Sequence, residues 1–215
     1  CISGVPAPDP AVVTDEADNC AGTATVAHLN DVNNGGSGCA GSPYVVTRTY
    51  RVSDACGNTA DVTHTITVVD DVAPTASNPT DITGIKCISG VPAPDVAVVT
   101  DEADNCGTAT VAHLGDAHNG GSGCAADPYI VTRTYRVSDA CGNTVDVTHT
   151  ITVVDDVAPT ASNPSDITGI KCISGVPAPD PAVVTDEADN CGSTPGVTLF
   201  NETNNGGSGC ATSPY

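Results

Sequence analysis

Large apolar side chains are scarce in this sequence, which contains no Trp, no Met, one Phe and five Tyr among 215 residues. Such a chain has little aromatic surface to bury, and small domains are only marginally stable even with good cores. Basic residues are also scarce: six Lys and Arg stand against 26 Asp and Glu, giving a formal net charge of −20. This balance excludes nucleic acid as an expected partner, argues against direct membrane insertion and favours cations. The alternative is an acidic surface that serves solubility alone.

Sequence motifs of enzymes are missing as well. The chain has no G-x-S-x-G elbow, no HExxH pair and no CxxC pair. The segment GSGCAG (Gly36–Gly41) has dinucleotide-motif spacing, but a strand pattern follows it where a helix is required. His64 and His149 are expected to be packed or half-exposed rather than to be ligands, and Asn201 begins a formal glycosylation sequon. We therefore expect no enzymatic activity.

One segment occurs three times along the chain. CISGVPAPD begins at Cys1 and recurs at Cys87 and Cys172, which are 86 and then 85 residues further on. We predict three repeats: 1–71 without its first strand, 72–156 complete and 157–215 truncated. The proline-containing segment VAPTASNP is the expected linker, since prolines make a short, stiff connection. The sequence is therefore expected to be a piece of a longer protein.

Alternating apolar and polar residues predict strands. The clearest pattern, Asp61–Val69, places Val62 and His64 on one face, and Tyr44–Ser53 alternates in the same way. The Gly-Asn turn between them predicts an antiparallel hairpin. Its predicted cross-strand pairs are Val52 with Val62, Tyr50 with His64 and Arg48 with Ile66.

Shorter strands are predicted at Ala11–Thr14, Thr23–Leu29 and Asp81–Lys86, separated by loops rich in Gly and Pro. No helical periodicity of any length is present. Several short strands in a repeat of this size are typical of an immunoglobulin-like β-sandwich. The predicted fold class is all-β: tandem immunoglobulin-like β-sandwich modules with two disulfides each, arranged as an elongated rod.

Eleven cysteines at repeated spacings predict disulfides, which need an oxidising compartment and favour an extracellular or cell-surface location. Cys39 and Cys56 flank one ten-residue strand, about 30 Å long, and cannot meet. An alternative, Cys1 with Cys56 and Cys20 with Cys39, stays open. The preferred pairs are Cys1–Cys39, Cys20–Cys56, Cys87–Cys124, Cys106–Cys141 and Cys172–Cys210, with Cys191 unpaired in this sequence.

Carboxylates collect at the predicted strand ends and turns. In the motifs TDEADNC, SDACGN and VVDD they are expected to meet where one repeat joins the next and to bind Ca²⁺ through hard oxygen ligands. The alternative is that Asp and Asn cap turns without any ion. The candidate ligands are Asp70, Asp71, Asp101, Glu102, Asp104, Asn105, Asp139, Asp155, Asp156, Asp186, Glu187, Asp189 and Asn190.

The motifs VTDEADNCG, SDACGN and VVDDVAPT give the repeat a family resemblance. With the alternating strand that follows SDACGN, the repeat resembles the hyalin-repeat (HYR-like) immunoglobulin-like domains of extracellular proteins. It is most similar to the tandem domains of giant cell-surface adhesins of Bacteroidetes, gliding adhesins among them. The resemblance covers essentially the whole chain. It implies an extracellular β-sandwich stalk, displayed on the cell surface, with adhesion carried out elsewhere or through many weak contacts.

These observations predict a non-enzymatic stalk or filament segment of a large repetitive adhesin. Its expected partners are neighbouring repeats of the same chain and surface glycans or substratum. A first alternative is a self-assembling extracellular fibre in which modules exchange strands. A second is a glycan-binding module, for which Tyr44, Tyr129, Tyr215 and Phe200 are the candidate aromatic residues.

Overall fold

The structure, a computed structural model, describes residues 1–19 and 22–207 and confirms the all-β class. Its strands form two sheets, consistent with a β-sandwich, and its helices are 3₁₀ turns of three residues each. The predicted absence of longer helices is therefore correct for the described residues. The strands are β1 (Thr25–Asn33), β2 (Tyr44–Ser53), β3 (Thr59–Val68), β4 (Ile82–Ile85), β5 (Thr110–His118), β6 (Tyr129–Ser138) and β7 (Thr144–Val153).

The first sheet is antiparallel, in the order β1-β2-β3. Strand β2 has the predicted bounds, but its predicted register with β3 is wrong by two residues: Tyr50 lies opposite Val62, not His64. The turn explains the difference. Asp54 Oδ1 accepts hydrogen bonds from the backbone N–H groups of Cys56 (2.9 Å) and Asn58 (2.7 Å), which closes the hairpin earlier than the Gly-Asn signal implies. A shift of two keeps every side chain on its predicted face.

The second sheet has the order β4-β7-β6-β5, with β4 parallel to β7. The predicted strand at 81–86 is thus confirmed as β4. Strand β3, the counterpart of β7 in the first repeat, is mostly exposed. Val62 is 39% exposed, whereas its counterpart Val147 is 3% exposed and packs in a core cluster to which Ala76 contributes.

The core of the second repeat lies on one face of its sheet, where Val99, Tyr135, Val137 and Val147 pack together. Val99 follows a 3₁₀ turn (Val96–Val98), a kind of element that the sequence pattern did not predict. The corresponding segment of the first repeat, predicted as strand Ala11–Thr14, is likewise a turn at Pro10–Val12, and that prediction was wrong.

Buried tyrosine hydroxyls tie these turns to the sheets. The Tyr135 hydroxyl accepts a hydrogen bond from the backbone N–H of Asp95 (3.3 Å), and the Tyr50 hydroxyl does the same for Asp9 (3.2 Å). The side chains of Asp9 and Asp95 in turn accept from backbone N–H groups two residues further on. These Asx turns leave the segment without the extended geometry of a strand.

The chain forms two compact units. The first contains Cys1–Thr80, Pro94–Asp116 and Arg133–His149; the second contains Asp81–Ala93, Ala117–Thr132 and the described part of Thr150–Tyr215. Strands β5, β6 and β7 contribute residues to both. The repeat boundaries at 71/72 and 156/157 remain predictions.

Candidate functional site

Three disulfides join cysteines of different repeats. Their partners are separated by 105, 102 and 104 residues in the sequence, with Cα atoms 4.8, 5.1 and 5.1 Å apart. Two of the disulfides lie in the first unit and the third in the second unit. The bonded pairs are Cys1–Cys106, Cys39–Cys141 and Cys87–Cys191.

Disulfides within single repeats were the prediction, and the observed bonds correct it. Cys1 is bonded to Cys106, so neither its predicted bond to Cys39 nor the alternative bond to Cys56 is formed. The prediction compared only the strand ends of one repeat, whereas each partner lies in a neighbouring repeat. The same correction applies to Cys87–Cys124 and Cys106–Cys141, and to Cys191, which is bonded rather than unpaired.

Cys56, Cys124 and Cys172 are exposed and form no disulfide with any cysteine of the described residues. The predicted pairs Cys20–Cys56 and Cys172–Cys210 each include a cysteine, Cys20 or Cys210, that lies outside the described residues. Each of the three exposed cysteines is the sequence counterpart of a bonded one: Cys56 of Cys141, Cys124 of Cys39 and Cys172 of Cys87.

An aspartate stands two residues before each of two bonded cysteines in the first unit. Asp104 Oδ2 accepts a hydrogen bond from Cys106 N (2.8 Å), and Asp139 Oδ1 accepts one from Cys141 N (2.8 Å). Such Asx turns fix the local backbone and hence the direction of the cysteine side chain. The D-x-C pattern thus positions a carboxylate and a disulfide together.

A third aspartate, Asp70, lies beside Cys39. The two residues form a parallel β-bridge, and Asp70 N donates a hydrogen bond to Gly38 O (2.6 Å). Its counterpart Asp155 forms the same bridge with Cys124. Asp70, Asp104 and Asp139 therefore each make a backbone contact at a disulfide cysteine or at its neighbour.

One carboxylate oxygen from each of Asp70, Asp104 and Asp139 lies within 4.8 Å of the other two. Asp70 is 5% exposed and Asp139 9%, while Asp104 is half-buried. Burial raises the pKa of Asp139, but hydrogen bonds, chiefly from Asn143, outweigh it and hold that pKa below its usual value. The three side chains are therefore close, poorly hydrated carboxylates.

A similar group lies in the second unit, where Asp155, Asp189 and Cys191 approach one another. The sulfur of Cys191 is already bonded to Cys87. Among the described residues, no other group of this kind is formed. Five of the predicted metal ligands are thus brought into groups: Asp70, Asp104, Asp139, Asp155 and Asp189.

The remaining predicted ligands lie outside these groups, and several have other contacts. Asp101 accepts a hydrogen bond from Ser77 N and Asp186 one from Ser162 N, so each bond attaches the segment after VVDD to an acidic turn of the same predicted repeat. Asp156 pairs with Lys86 (2.6 Å), and this hydrogen bond lowers the pKa of Asp156. The others are Asp71, Glu102, Asn105, Glu187 and Asn190.

Five of the six Arg and Lys side chains are paired with aspartates outside these groups. Arg133 is 3% exposed and donates from Nε and Nη2 to Asp116 (2.9 and 2.8 Å), which lowers the pKa of Asp116 to about 2. This ion pair was not predicted from the sequence. A signal for it was present, because Arg133 lies on the same strand face as valines and a tyrosine. The other pairs with Arg or Lys are Arg48–Asp31, Arg51–Asp61, Arg136–Asp146 and Lys86–Asp156.

The histidines and aromatic residues differ in their exposure. His149 is packed as predicted, 2% exposed, and neither ring nitrogen has a hydrogen-bond partner among the described residues, whereas His64 is exposed. Tyr129 stacks on His118, with ring centroids 5.2 Å apart. Phe200 is fully exposed, Tyr44 is half-buried, and Tyr215 lies outside the described residues.

Comparison of the chain with protein-family models finds no match, and comparison with curated proteins finds none either. Over residues 1–19 and 22–207, the structure contains no helix that is long and apolar enough to cross a membrane. The three disulfides are typical of a protein outside the reducing cytoplasm.

Proposed function

We propose that the chain is a non-enzymatic segment of the stalk of a large, repetitive extracellular adhesin, built of HYR-like immunoglobulin-like modules in an elongated rod. The observation that carries this proposal is the disulfide pattern, in which cysteines of one repeat are bonded to cysteines of the next. The stalk would project adhesive regions from the cell surface, and its partners would be neighbouring repeats and surface glycans or substratum.

Bonds between repeats suit a load-bearing role because they change how the chain responds to tension. A disulfide within a repeat protects only that repeat, and the backbone linker still bears the load alone. Here Cys1–Cys106 and Cys39–Cys141 cross from the first repeat to the second in parallel with the backbone. Force applied along the chain would pass through these sulfurs before it could extend the intervening strands.

A stretching measurement tests the proposal. The chain is pulled from its two ends by optical tweezers, first oxidised and then with reductant. The shortest covalent path of the oxidised chain follows Cys1–Cys106, runs back to Cys87 and crosses to Cys191. This path includes about 46 residues, so the oxidised chain should reach only roughly 160 Å, against roughly 730 Å after reduction.

A chain that extends fully while oxidised would rule out the load-bearing role. The same preparation can be imaged on a surface, where the proposal expects elongated particles whose length increases with the number of repeats. Compact particles, or a length that does not change with repeat number, would count against the rod.

One observation favours a second candidate, the glycan-binding module: the Phe200 ring is fully exposed, and sugar faces commonly stack on exposed aromatic rings. A glycan array separates the candidates, with Phe200→Ala as the test variant. Binding lost only in that variant would support glycan recognition, and equal signals from both proteins would exclude it.

A further inference from the structure

We propose that Asp70, Asp104 and Asp139 form a binding site for one calcium ion. All three residues belong to the first compact unit, and one carboxylate oxygen from each lies within 4.8 Å of the other two. The proposal goes beyond the stalk function and does not rest on it, because it depends only on the local geometry.

The first argument is uncompensated charge. Three carboxylates this close repel one another, and the repulsion grows as water is excluded. None of them is paired with Arg or Lys in the described residues, since five of the six basic side chains are paired elsewhere. The sixth, Lys171, is an exposed residue of the other unit. A bound cation would supply the missing charge.

The second argument is an unpartnered buried oxygen. Asp104 Oδ1 is inaccessible to solvent and accepts no hydrogen bond from the described residues. Asp70 and Asp139, which complete the group, are both more than nine-tenths buried. A buried carboxylate oxygen without a partner is costly, so this oxygen indicates a ligand rather than a solvated acidic surface.

The third argument is geometry. Calcium binds six to eight oxygens at 2.3–2.6 Å, so two oxygens on one ion lie at most about 5 Å apart. The observed spacing within 4.8 Å satisfies this limit. The turn hydrogen bonds engage Asp104 Oδ2 and leave Oδ1 available, which resembles the outer-shell bonds that orient metal ligands. Water and backbone carbonyls would supply the remaining ligands.

The other acidic group provides an internal comparison. In the second unit the third member is Cys191, whose sulfur is in a disulfide and is a soft ligand unsuited to calcium. The group therefore offers two carboxylates in place of three. We accordingly assign one calcium ion per chain, at Asp70, Asp104 and Asp139.

Isothermal titration of the chelator-treated, oxidised chain with CaCl₂ tests the site. We expect one site in the unchanged protein and at least a tenfold loss of affinity in Asp139→Asn. The matched control is Asp54→Asn, because Asp54 accepts the same turn hydrogen bonds, from Cys56 N, Asn58 N and Asn58 Nδ2, but belongs to no group of three possible metal ligands among the described residues. The control should bind calcium as the unchanged protein does. In a second matched pair, Asp70→Asn should lose calcium affinity, whereas Asp71→Asn should bind calcium as the unchanged protein does.

Thermal unfolding tests the site in a second way, because the effect of a substitution on the melting temperature should differ between calcium and chelator. With calcium, Asp104→Asn should melt at a lower temperature than the unchanged protein. With chelator, it should melt at the same or a higher temperature, because a repulsive charge has been removed. A variant that is merely misfolded would melt lower in both conditions and would show altered circular dichroism, and Asp70→Asn then carries the test.

Several results would overturn the proposal. Absence of binding heat together with an unchanged melting temperature would exclude the site. Equal losses in Asp70→Asn and Asp71→Asn would show diffuse attraction to an acidic surface, and Mg²⁺ binding as tight as Ca²⁺ would exclude calcium selectivity. None of these outcomes affects the stretching test, so failure here is distinguishable from failure of the stalk proposal.

Discussion

Cys39 and Cys141 form a disulfide although 102 residues separate them in the sequence, and their Cα atoms are 5.1 Å apart. Each cysteine also adjoins an aspartate of the proposed calcium site: Cys39 forms a β-bridge with Asp70, and Cys141 N donates to Asp139. One covalent bond therefore fixes two of the three carboxylates, and the arrangement of the site depends on the junction between repeats.

Removal of this disulfide by the double substitution Cys39→Ser and Cys141→Ser should lower the free energy of unfolding by about 2–5 kcal/mol, since the loop it closes is long. Urea unfolding of the oxidised protein measures the change. The matched control is Cys56→Ser, which removes an exposed cysteine that forms no disulfide among the described residues and should have almost no effect. Equal stability of the double variant and the unchanged protein would contradict the assignment of this bond.

His149 lies buried, and neither ring nitrogen has a hydrogen-bond partner in residues 1–19 and 22–207; such a group costs stability. We expect His149→Leu, a replacement of similar volume, to raise the free energy of unfolding by about 1–3 kcal/mol. The control His64→Leu changes the exposed counterpart and should stay within about 0.5 kcal/mol of the unchanged protein. A clear destabilisation by His149→Leu, measured in urea at neutral pH, would mean that the histidine has an essential partner.

The Asp116 carboxylate should make stability sensitive to acid. Its folded-state pKa of about 2 is below the ordinary value of 3.8, as is that of Asp31, because Arg133 and Arg48 hydrogen-bond the ionised forms. A lowered folded-state pKa contributes stability that is complete above about pH 4 and is lost as the pH falls from about 4 to about 2.

Urea unfolding in chelator at pH 5, 4, 3 and 2 measures this loss. Asp116→Asn removes one of the two carboxylates, so its stability should fall less steeply over the same pH range. Parallel curves for the two proteins would show that the Arg133–Asp116 pair does not contribute to the pH dependence.

Tyr135 connects the Val96–Val98 turn to the sheet through its hydroxyl group, which accepts from Asp95 N at 3.3 Å. Tyr135→Phe should cost about 1 kcal/mol, because the Asp95 N–H loses its partner in a partly buried place. Tyr129→Phe is the control, since its ring stacks on His118 and its hydroxyl makes no hydrogen bond in the described residues. Similar losses in the two variants, measured by thermal unfolding, would show that the hydroxyl of Tyr135 is not specifically required.

The strands of the hairpin could be predicted because their signal is local. Tyr44–Ser53 alternates in its apolar residues and ends at a turn motif, and the structure has a strand with the same bounds. The register could not be predicted from alternation alone, since a shift by two residues preserves both faces. It is decided by the side chain of Asp54, whose hydrogen bonds close the turn.

The disulfides could not be predicted by the same reasoning because their signal is not local. Strand lengths correctly indicated that Cys39 and Cys56 cannot meet, but they left every cysteine of a neighbouring repeat out of consideration. Cys1 and Cys106 come together only because segments of two repeats pack in one compact unit. An odd total of eleven cysteines is equally compatible with bonds within and between repeats.

The grouped acidic residues could be predicted only in part from the sequence. The prediction included Asp70, Asp104 and Asp139, but it also included residues such as Asp101, which binds a backbone N–H of Ser77. Asp and Asn are common at turns for reasons of hydrogen bonding alone, so the sequence pattern cannot separate cap residues from grouped carboxylates. Burial separates them, and burial depends on the packing of the next repeat.

The three disulfides overlap along the chain, and this overlap bears on damage by proteases. The bonds span residues 1–106, 39–141 and 87–191, so every peptide bond between residues 1 and 191 lies inside at least one closed loop. A protease that cleaves the oxidised backbone once in this range leaves both pieces covalently attached. Outside a cell, where cleaved protein is not replaced at once, a chain of this design would keep its ends connected until its sulfur bonds were reduced.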